Sequence, residues 1–367
     1  MIKLLFVLNV FRDAAVPNII LDLAPHLMSR FQIEILSLQP PDEHSQAVER
    51  CKKIGLKLET LAVHRLDIIS TLKKLRKYLK RSKPHIIHSH HGRADIYSAL
   101  CKPQDVTLIT TFHNIRESHS YLTRFGYKLT DRRVDMRTAV SHNTRETWYG
   151  RGRLKSESRV VYNPVAPSRL LQTKPIVDVR KQFAVGPENN LILNTGRLIP
   201  QKGQEHLINI MRRIIVTRKD MKLLICGWGP LKARLTGLVA HYGLQNHIVL
   251  TGLVHDMNNL LTAADLFVST SLFEGHSVGL IEAMAAGLPV VTTKIPSSCE
   301  FLTHRENAII VEQNDEEGFA AAVLELLEDR NLRRRIVEAG LQTCNSLFSP
   351  EVVAGEYSSI YDAIARS

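Results

Sequence analysis

The strongest constraint on this chain is the rhythm of its apolar runs, because short β-rich stretches alternate with helix-period patterns in two successive series. The first series is KLLFVLNV, FQIEILSL, KLETLAV, HIIHSH and TLITTFHN, with helical patterns such as NIILDLAPHLM between them. The second is LILNTGRL, MKLLICG, HIVLTGLV, ADLFVST, PVVTT and AIIV, with helices predicted from about Gly203 and Leu231. Such alternation predicts βαβ units and parallel sheets. Between the series lies a turn-rich stretch holding Asn163, Pro164, Pro167 and Pro175, where regular structure is broken. The reading is two α/β domains, 1–168 and 169–348, followed after Ser349-Pro350 by a last helix, 349–367.

Length agrees: 367 residues exceed what one core serves well, since cores stop growing beyond roughly 250–300 residues. Two lobes predict a ligand cleft. No apolar run approaches the roughly 20 residues of a membrane-spanning helix. The opening MIKLLFVLNVF has no small-residue cleavage site and is soon followed by Arg12 and Asp13, so it is read as a first buried strand rather than a signal peptide. Five scattered cysteines without a CxxC pair suit a reducing, cytoplasmic compartment and argue against a zinc site. The net charge of +12 is concentrated in residues 1–168, which hold 28 Lys and Arg against 15 Asp and Glu.

Open parallel sheets bind ligands beyond the carboxyl ends of their strands. That rule places His90, His113, Gly196–Lys202, Gly227–Gly229, His255 and Glu274 around one cleft.

The most specific segment is LFEGHSVGLIEAMAAGLPVV, with Glu274 in a loop and Glu282 on the following helix, seven residues between them. Neighbouring sugar hydroxyls donate well to such ionised carboxylates. The spacing resembles the Glu-x7-Glu signature of the retaining glycosyltransferases of family 4, and EAMAAGLPVVTT is similar to that family as well. The resemblance covers nearly the whole chain and implies the GT-B fold: two Rossmann-like, doubly wound domains facing a central cleft, with the terminal helix crossing back to the first. It implies that Glu274 holds donor-sugar hydroxyls, that Glu282 takes the ribose, and that the amides of Val278, Gly279 and Leu280 meet the diphosphate at a helix N-terminus. Where family members often carry an aromatic residue and a proline, this chain has His276 and Ser277.

NTGRLIPQKGQEHLI is similar to the family's Gly-Arg…Lys-Gly motif. It implies that Gly196 lies at the donor and that Arg197 and Lys202 stabilise the charge developing on a departing nucleoside diphosphate. ICGWGPLKARL resembles the Gly-x-Gly-Pro turn, with Gly227 at the donor. TGLVHDMNNLLTAADLFV is similar to the base-binding region, which makes Leu253 to Asp256 candidates, Leu253 and Val254 foremost. The chain has neither an Asp-x-Asp metal motif nor HExxH, so no metal and no cofactor beyond the donor substrate are expected.

In the first half, TLITTFHNIR matches the family's Thr-x-His-Asn pattern and implies His113 at the reaction centre. HIIHSHHGRAD offers several histidines, but strand alternation sends His88 and His90 to one face and His91 to the other, against a shared metal. His90, His91 and Arg93 are read as acceptor-side residues. The loop NVFRDAAVPNIILDLAPHL lacks the Gly-Gly pair usual in the family, and no residue is carried over from it.

RLDIISTLKKLRKYLKRSK sets Ile68, Ile69, Leu72, Leu75 and Leu79 as a stripe expected to pack on the sheet, with Lys73, Lys74, Arg76, Lys77, Lys80, Arg81 and Lys83 elsewhere. Such a basic face gains roughly 1 kcal/mol per residue from anionic lipid. The combined expectation is a cytoplasmic, metal-independent retaining hexosyltransferase, peripheral on the inner membrane face. It would use a nucleotide-sugar donor and a glycan or lipid-linked acceptor in cell-envelope polysaccharide or lipopolysaccharide synthesis. The alternatives are a sugar-nucleotide epimerase of the same fold and, from the pI of 9.5, a basic nucleic-acid-binding protein.

Overall fold

The computed structural model describes residues 1–64, 66–170, 178–254 and 257–365. The candidates His255 and Asp256 lie outside the described residues. The chain divides into two compact units: Met1–Pro164 with Pro350–Ser367, and Val165–Ser349. The division comes at Pro164 rather than after residue 168, since the Val165 amide donates to the Phe348 carbonyl at 2.8 Å and ties this segment to the second unit.

The first unit holds strands β1 (Ile2–Leu8), β2 (Phe31–Ser37), β3 (Lys57–Thr60), β4 (Ile86–His90), β5 (Thr107–Phe112), β6 (Met136–Ala139) and β7 (Glu157–Val160) in one sheet of order β3-β2-β1-β4-β5-β6-β7. All its pairings are parallel. β6 and β7 were not read from the sequence, because MRTA and ESRV are short and polar. Arg137 of β6 is fully buried, donating to Asp131 (3.3 Å), Ser156 (3.2 Å) and Thr110 (2.8 Å). Its charge is thereby paired and hydrogen-bonded, as burial requires.

The helices Ala15–Leu27 and Pro350–Ala365 pack together on one face of this sheet, where Phe31 and Tyr361 meet edge to face. The opposite face carries Leu5, Val7, Ile87 and Leu108 under the helices Ile68–Ser82 and Gly92–Cys101. In the former helix Leu75 and Leu79 pack inward as expected, but Ile68 and Ile69 are exposed. Ile68 occupies the first helical position, and Ile69 is turned roughly 100° from the stripe.

The second unit holds β8 (Asn190–Thr195), β9 (Met221–Cys226), β10 (Ile248–Gly252), β11 (Leu266–Ser269), β12 (Val290–Thr293) and β13 (Ile309–Val311), in the order β10-β9-β8-β11-β12-β13. Each pairing is again parallel. In both sheets the chain order reverses beside the first strand, at β1/β4 and at β8/β11, the switch points where ligands enter doubly wound folds.

Candidate functional site

The β8/β11 switch point brings two sequence motifs together. Lys202, in the turn after β8, donates its ammonium to Oε1 of Glu274, in the loop after β11. Glu274 is 6% exposed, and its carboxylate also accepts from Ser271 Oγ at 2.8 Å and Gln201 Nε2 at 3.3 Å. Gln201 further donates to the Phe273 carbonyl at 2.9 Å, while the Leu272 amide donates back to Gln201 O at 2.8 Å. Thr293, the last residue of β12, holds the Ser271 carbonyl at 2.7 Å. A buried carboxylate this fully partnered is held in one orientation as an acceptor. Gln201 lies within the predicted span Gly196–Lys202 but was given no role of its own, and Ser271 and Thr293 were not predicted. Their one sequence signal is proximity to the two motifs.

Glycines make this convergence possible. Gly203 has φ +62°, and a Cβ there would lie 2.1 Å from the Thr270 carbonyl oxygen. Gly227, at φ +145°, would drive a Cβ to 1.9 Å from Gly196 O. The Gly-x-Gly-Pro turn is therefore a close backbone junction between the ends of β8 and β9. It presents Trp228 to solvent.

The helix Val278–Ala285 starts beside the same junction, where a Cβ on Gly279 would come within 2.4 Å of Thr195 Oγ1. Its N-cap, Ser277, makes no side-chain capping bond, which leaves the first-turn amides without the usual side-chain acceptor. Glu282 is the fifth residue of this helix and accepts from Arg169 Nη2 at 2.8 Å. Arg169 was not predicted, and nothing in its local sequence signals it. Arg197 is exposed, so the structure joins Lys202 but not Arg197 to the glutamate. Leu253, just past β10, is also exposed.

His276, one of the departures from the family pattern, is buried against Phe301 and Phe348, with ring centroids 5.4 and 5.1 Å away. Desolvation pushes its pKa down to about 3. It serves this apolar cluster as a neutral ring.

In the first unit, His90 ends β4 and His113 follows β5, and their rings are joined by a hydrogen bond of 2.9 Å between His90 Nδ1 and His113 Nε2. Burial and the neighbouring imidazoles hold His90 well below the usual histidine range. His88 lies beside it with ring centroids 4.3 Å apart and the planes tilted by 34°, bonded to Tyr361 and Thr111 at 2.7 Å each, and desolvation pushes its pKa to about 3. His91 does not part from the others as strand alternation predicted. The strand has ended, His91 takes φ +76°, and its ring centroid lies 5.2 Å from that of His113. Arg93 follows on the helix Gly92–Cys101, whose Ala94 amide is capped by Asn9 Oδ1 at 3.1 Å. Among the described residues no group of His, Cys, Asp or Glu has the makings of a metal site.

Two sequence profiles divide the chain between them. One described as Glycosyltransferase Family 4 matches residues 16–169, and one described as Glycosyl transferases group 1 matches 177–343. The chain is 24% identical over 304 residues to the N-acetyl-alpha-D-glucosaminyl L-malate synthase of Bacillus anthracis, covering 80% of this chain and 78% of that protein. It is 29% identical over 203 residues to the lipopolysaccharide core biosynthesis glycosyltransferase LpsE of Rhizobium meliloti, a match spanning 55% of this chain and 57% of that one. Among solved structures, Anabaena Alr3699/HepE in complex with UDP-glucose superposes with a TM-score of 0.84 over 99% of this chain and 100% of that one, at 19% identity. WaaG, a glycosyltransferase involved in lipopolysaccharide biosynthesis, does so with a TM-score of 0.73 over 96% and 98%, at 14% identity. These likenesses establish the GT-B fold. With both halves matched and both units doubly wound, the chain belongs to the group 1, family 4 glycosyltransferases.

Proposed function

We propose that this glycosyltransferase moves a hexosyl unit from a nucleoside-diphosphate sugar to a hydroxyl of a glycan or lipid-linked acceptor, with retention at the anomeric carbon and without a metal or other cofactor. The observation that carries the donor side is the convergence of Lys202, Gln201 and Ser271 on the buried Glu274 at the switch point of the second unit. A carboxylate held there accepts from donor-sugar hydroxyls. Glu282, on the adjoining helix, is assigned to the ribose, and the amides of Val278, Gly279 and Leu280 to the diphosphate. Gly196 and Gly227 keep the strand ends low enough for the nucleotide to approach, and the main chain at Leu253 and Val254 is assigned to the base. That Anabaena Alr3699/HepE of the same fold takes UDP and glucose supports a nucleotide-sugar donor here.

Retention without a carboxylate nucleophile implies attack from the leaving-group face. The departing phosphate takes the acceptor proton, and Arg197 and Lys202 stabilise its charge. On the first unit, His113 is assigned to the sugar being transferred, while His90, His91 and Arg93 are assigned to the acceptor. His90 orients His113 through their shared hydrogen bond. Its other nitrogen, Nε2, is buried with no partner, a situation that suits a bare lone pair better than an N–H. The proton therefore sits on Nδ1 and is donated to His113 Nε2, leaving His113 to donate from Nδ1.

No described helix is long and apolar enough to cross a membrane. The basic outer face of the helix Ile68–Ser82 supports a cytoplasmic enzyme held peripherally on the inner membrane face, working in cell-envelope polysaccharide or lipopolysaccharide synthesis. Thermal-shift screening of nucleotide sugars, with UDP and GDP as controls, tests the donor assignment: a nucleoside diphosphate should stabilise the protein, and no response to any nucleotide would refute it.

A further inference from the structure

Five buried side chains of the first unit form one hydrogen-bonded network beside the His90–His113 pair. It starts on the terminal helix Pro350–Ala365, where the Tyr361 hydroxyl meets Nδ1 of His88, in β4, at 2.7 Å. Nε2 of the same ring meets Thr111 Oγ1, in β5, at 2.7 Å, and Thr111 Oγ1 meets Thr138 Oγ1, in β6, at 2.7 Å. Thr138 in turn bonds the oxygen of Tyr357, which lies about one helical turn before Tyr361. The network thus leaves the terminal helix, crosses three strands and returns to the same helix. All five side chains belong to residues at most 4% exposed.

The protons in this network have one consistent arrangement. Burial keeps the His88 ring neutral, so one of its nitrogens carries a proton and the other accepts one. Among the described residues the Tyr361 hydroxyl has His88 as its hydrogen-bond partner, and a buried O–H that donated to nothing would forfeit the bond it makes in water. Tyr361 therefore donates to Nδ1. The ring proton is then on Nε2 and is donated to Thr111, which donates its own to Thr138, and Thr138 donates to Tyr357. His88 is thus the opposite tautomer to His90, whose proton sits on Nδ1. An apolar core would fill the same space without five polar groups to satisfy.

What the network fixes is a wall of the histidine pair. His90 has one side-chain hydrogen bond, to His113 at 2.9 Å, and its Nε2 has no partner. The rest of its orientation comes from ring contacts, with His88 at 4.3 Å and Phe6 at 5.9 Å between centroids. Phe6 has no polar atom to anchor it, whereas His88 is pinned at both ring nitrogens. We propose that Tyr361 is a positioning residue for transfer: its hydroxyl fixes His88 in one tautomer and one orientation, and the pinned His88 ring holds His90 where it directs His113. Which imidazole nitrogen carries the proton is set by the bond the other nitrogen makes. Without the phenol oxygen Nδ1 loses its donor, and the Thr111 hydroxyl, which both donates and accepts, serves either tautomer. His88 then samples two ring states and His90 loses its fixed wall. The role in transfer rests on the assignment of His113 to the sugar being transferred, whereas the two tautomers do not.

The test is long-range proton–nitrogen NMR of the full chain labelled at histidine, which reads the nitrogen that carries each ring proton, together with steady-state kinetics on UDP-glucose and an acceptor alcohol. In the wild type His88 should be protonated at Nε2 and His90 at Nδ1. Tyr361→Phe removes the hydroxyl alone. It should move the ring signals of His88, His90 and His113 and lower kcat about tenfold or more, on the scale of a small misplacement of reacting groups, with the KM for UDP-glucose unchanged. Phe31→Leu weakens the edge-to-face contact with Tyr361 without touching the hydroxyl. It should lower the thermal midpoint and leave the ring signals and kcat as they are. If Tyr361→Phe does not fold, Thr111→Val, which takes away the other partner of the His88 ring, should produce the same changes in signals and kcat. A His88 proton on Nδ1, or His90 and His113 signals that stay in place in both variants, overturns the proposal. So does an unchanged kcat in Tyr361→Phe, or a loss of kcat that Phe31→Leu reproduces. A wild type that turns over no nucleotide sugar refutes the transferase reading, and the ring spectra then still decide whether Tyr361 sets the tautomer of His88.

Discussion

The Lys202 ammonium donates to the Glu274 carboxylate, joining the turn after β8 to the loop after β11 across the switch point of the second sheet. Because both side chains are at most one-fifth exposed, removing either leaves a charge with little solvent around it. Glu274→Ala should reduce transfer by at least about a thousandfold, on the scale of losing a transition-state contact. It should leave nucleotide affinity within about threefold, since the carboxylate is assigned to the sugar. Single-turnover kinetics and calorimetry with the free nucleotide would separate the two. Equal loss of both would show that the carboxylate supports the fold of the loop instead.

Gly279 lies so close to Thr195 that a methyl group there would clash with the threonine hydroxyl at 2.4 Å. Gly279→Ala should therefore shift the start of the helix Val278–Ala285 and weaken nucleotide binding about tenfold or more, in line with overpacking penalties of 1–3 kcal/mol. Adding Thr195→Ala removes the clashing oxygen and should restore much of the affinity. A double-mutant cycle measured by nucleotide titration reads this coupling.

His88 and His276 are buried as neutral rings, each pushed to about 3 by desolvation. Unfolded, each titrates near 6.5, so between pH 6.5 and 3 the unfolded chain binds more protons than the folded one. Stability must then fall as the pH falls through that window, by up to about 1.4 kcal/mol per pH unit for each ring. Denaturant midpoints at pH 7 and 5 should show the loss, and His276→Phe, which suits the ring cluster with Phe301 and Phe348, should diminish it. An unchanged pH slope in that variant would mean that His276 is charged in the fold.

The His90–His113 bond predicts a specific pattern among substitutions. His90→Asn keeps a short hydrogen-bonding side chain and should retain more activity than His90→Ala. Both should move the pH profile of transfer if His90 sets the tautomer of His113. Profiles unchanged from that of the wild type in both variants would reduce His90 to packing.

The sheets were legible because their central strands are apolar and regularly spaced, and the Glu274 and Lys202 motifs were legible because they follow β11 and β8 closely. β6 and β7 escaped notice because Arg137, Glu157 and Arg159 disguise short strands whose burial depends on tertiary partners such as Asp131 and Ser156. Strand alternation misplaced His91 because a single residue in left-handed backbone, φ +76°, ends the alternation. The Arg169–Glu282 pair joins residues 113 positions apart, and no local pattern encodes such a contact. Periodicity likewise shows that the helix Tyr121–Thr130 is two-faced. It does not show which face is inside, and here the inner one is built from Tyr127 and Thr130.

The central claim is transfer with retention from a donor held at Glu274. The most direct measurement is the proton NMR coupling at the anomeric carbon of the product formed from an α-linked nucleotide sugar and an acceptor alcohol. An α-linked product is predicted, and a β-linked product would contradict the mechanism.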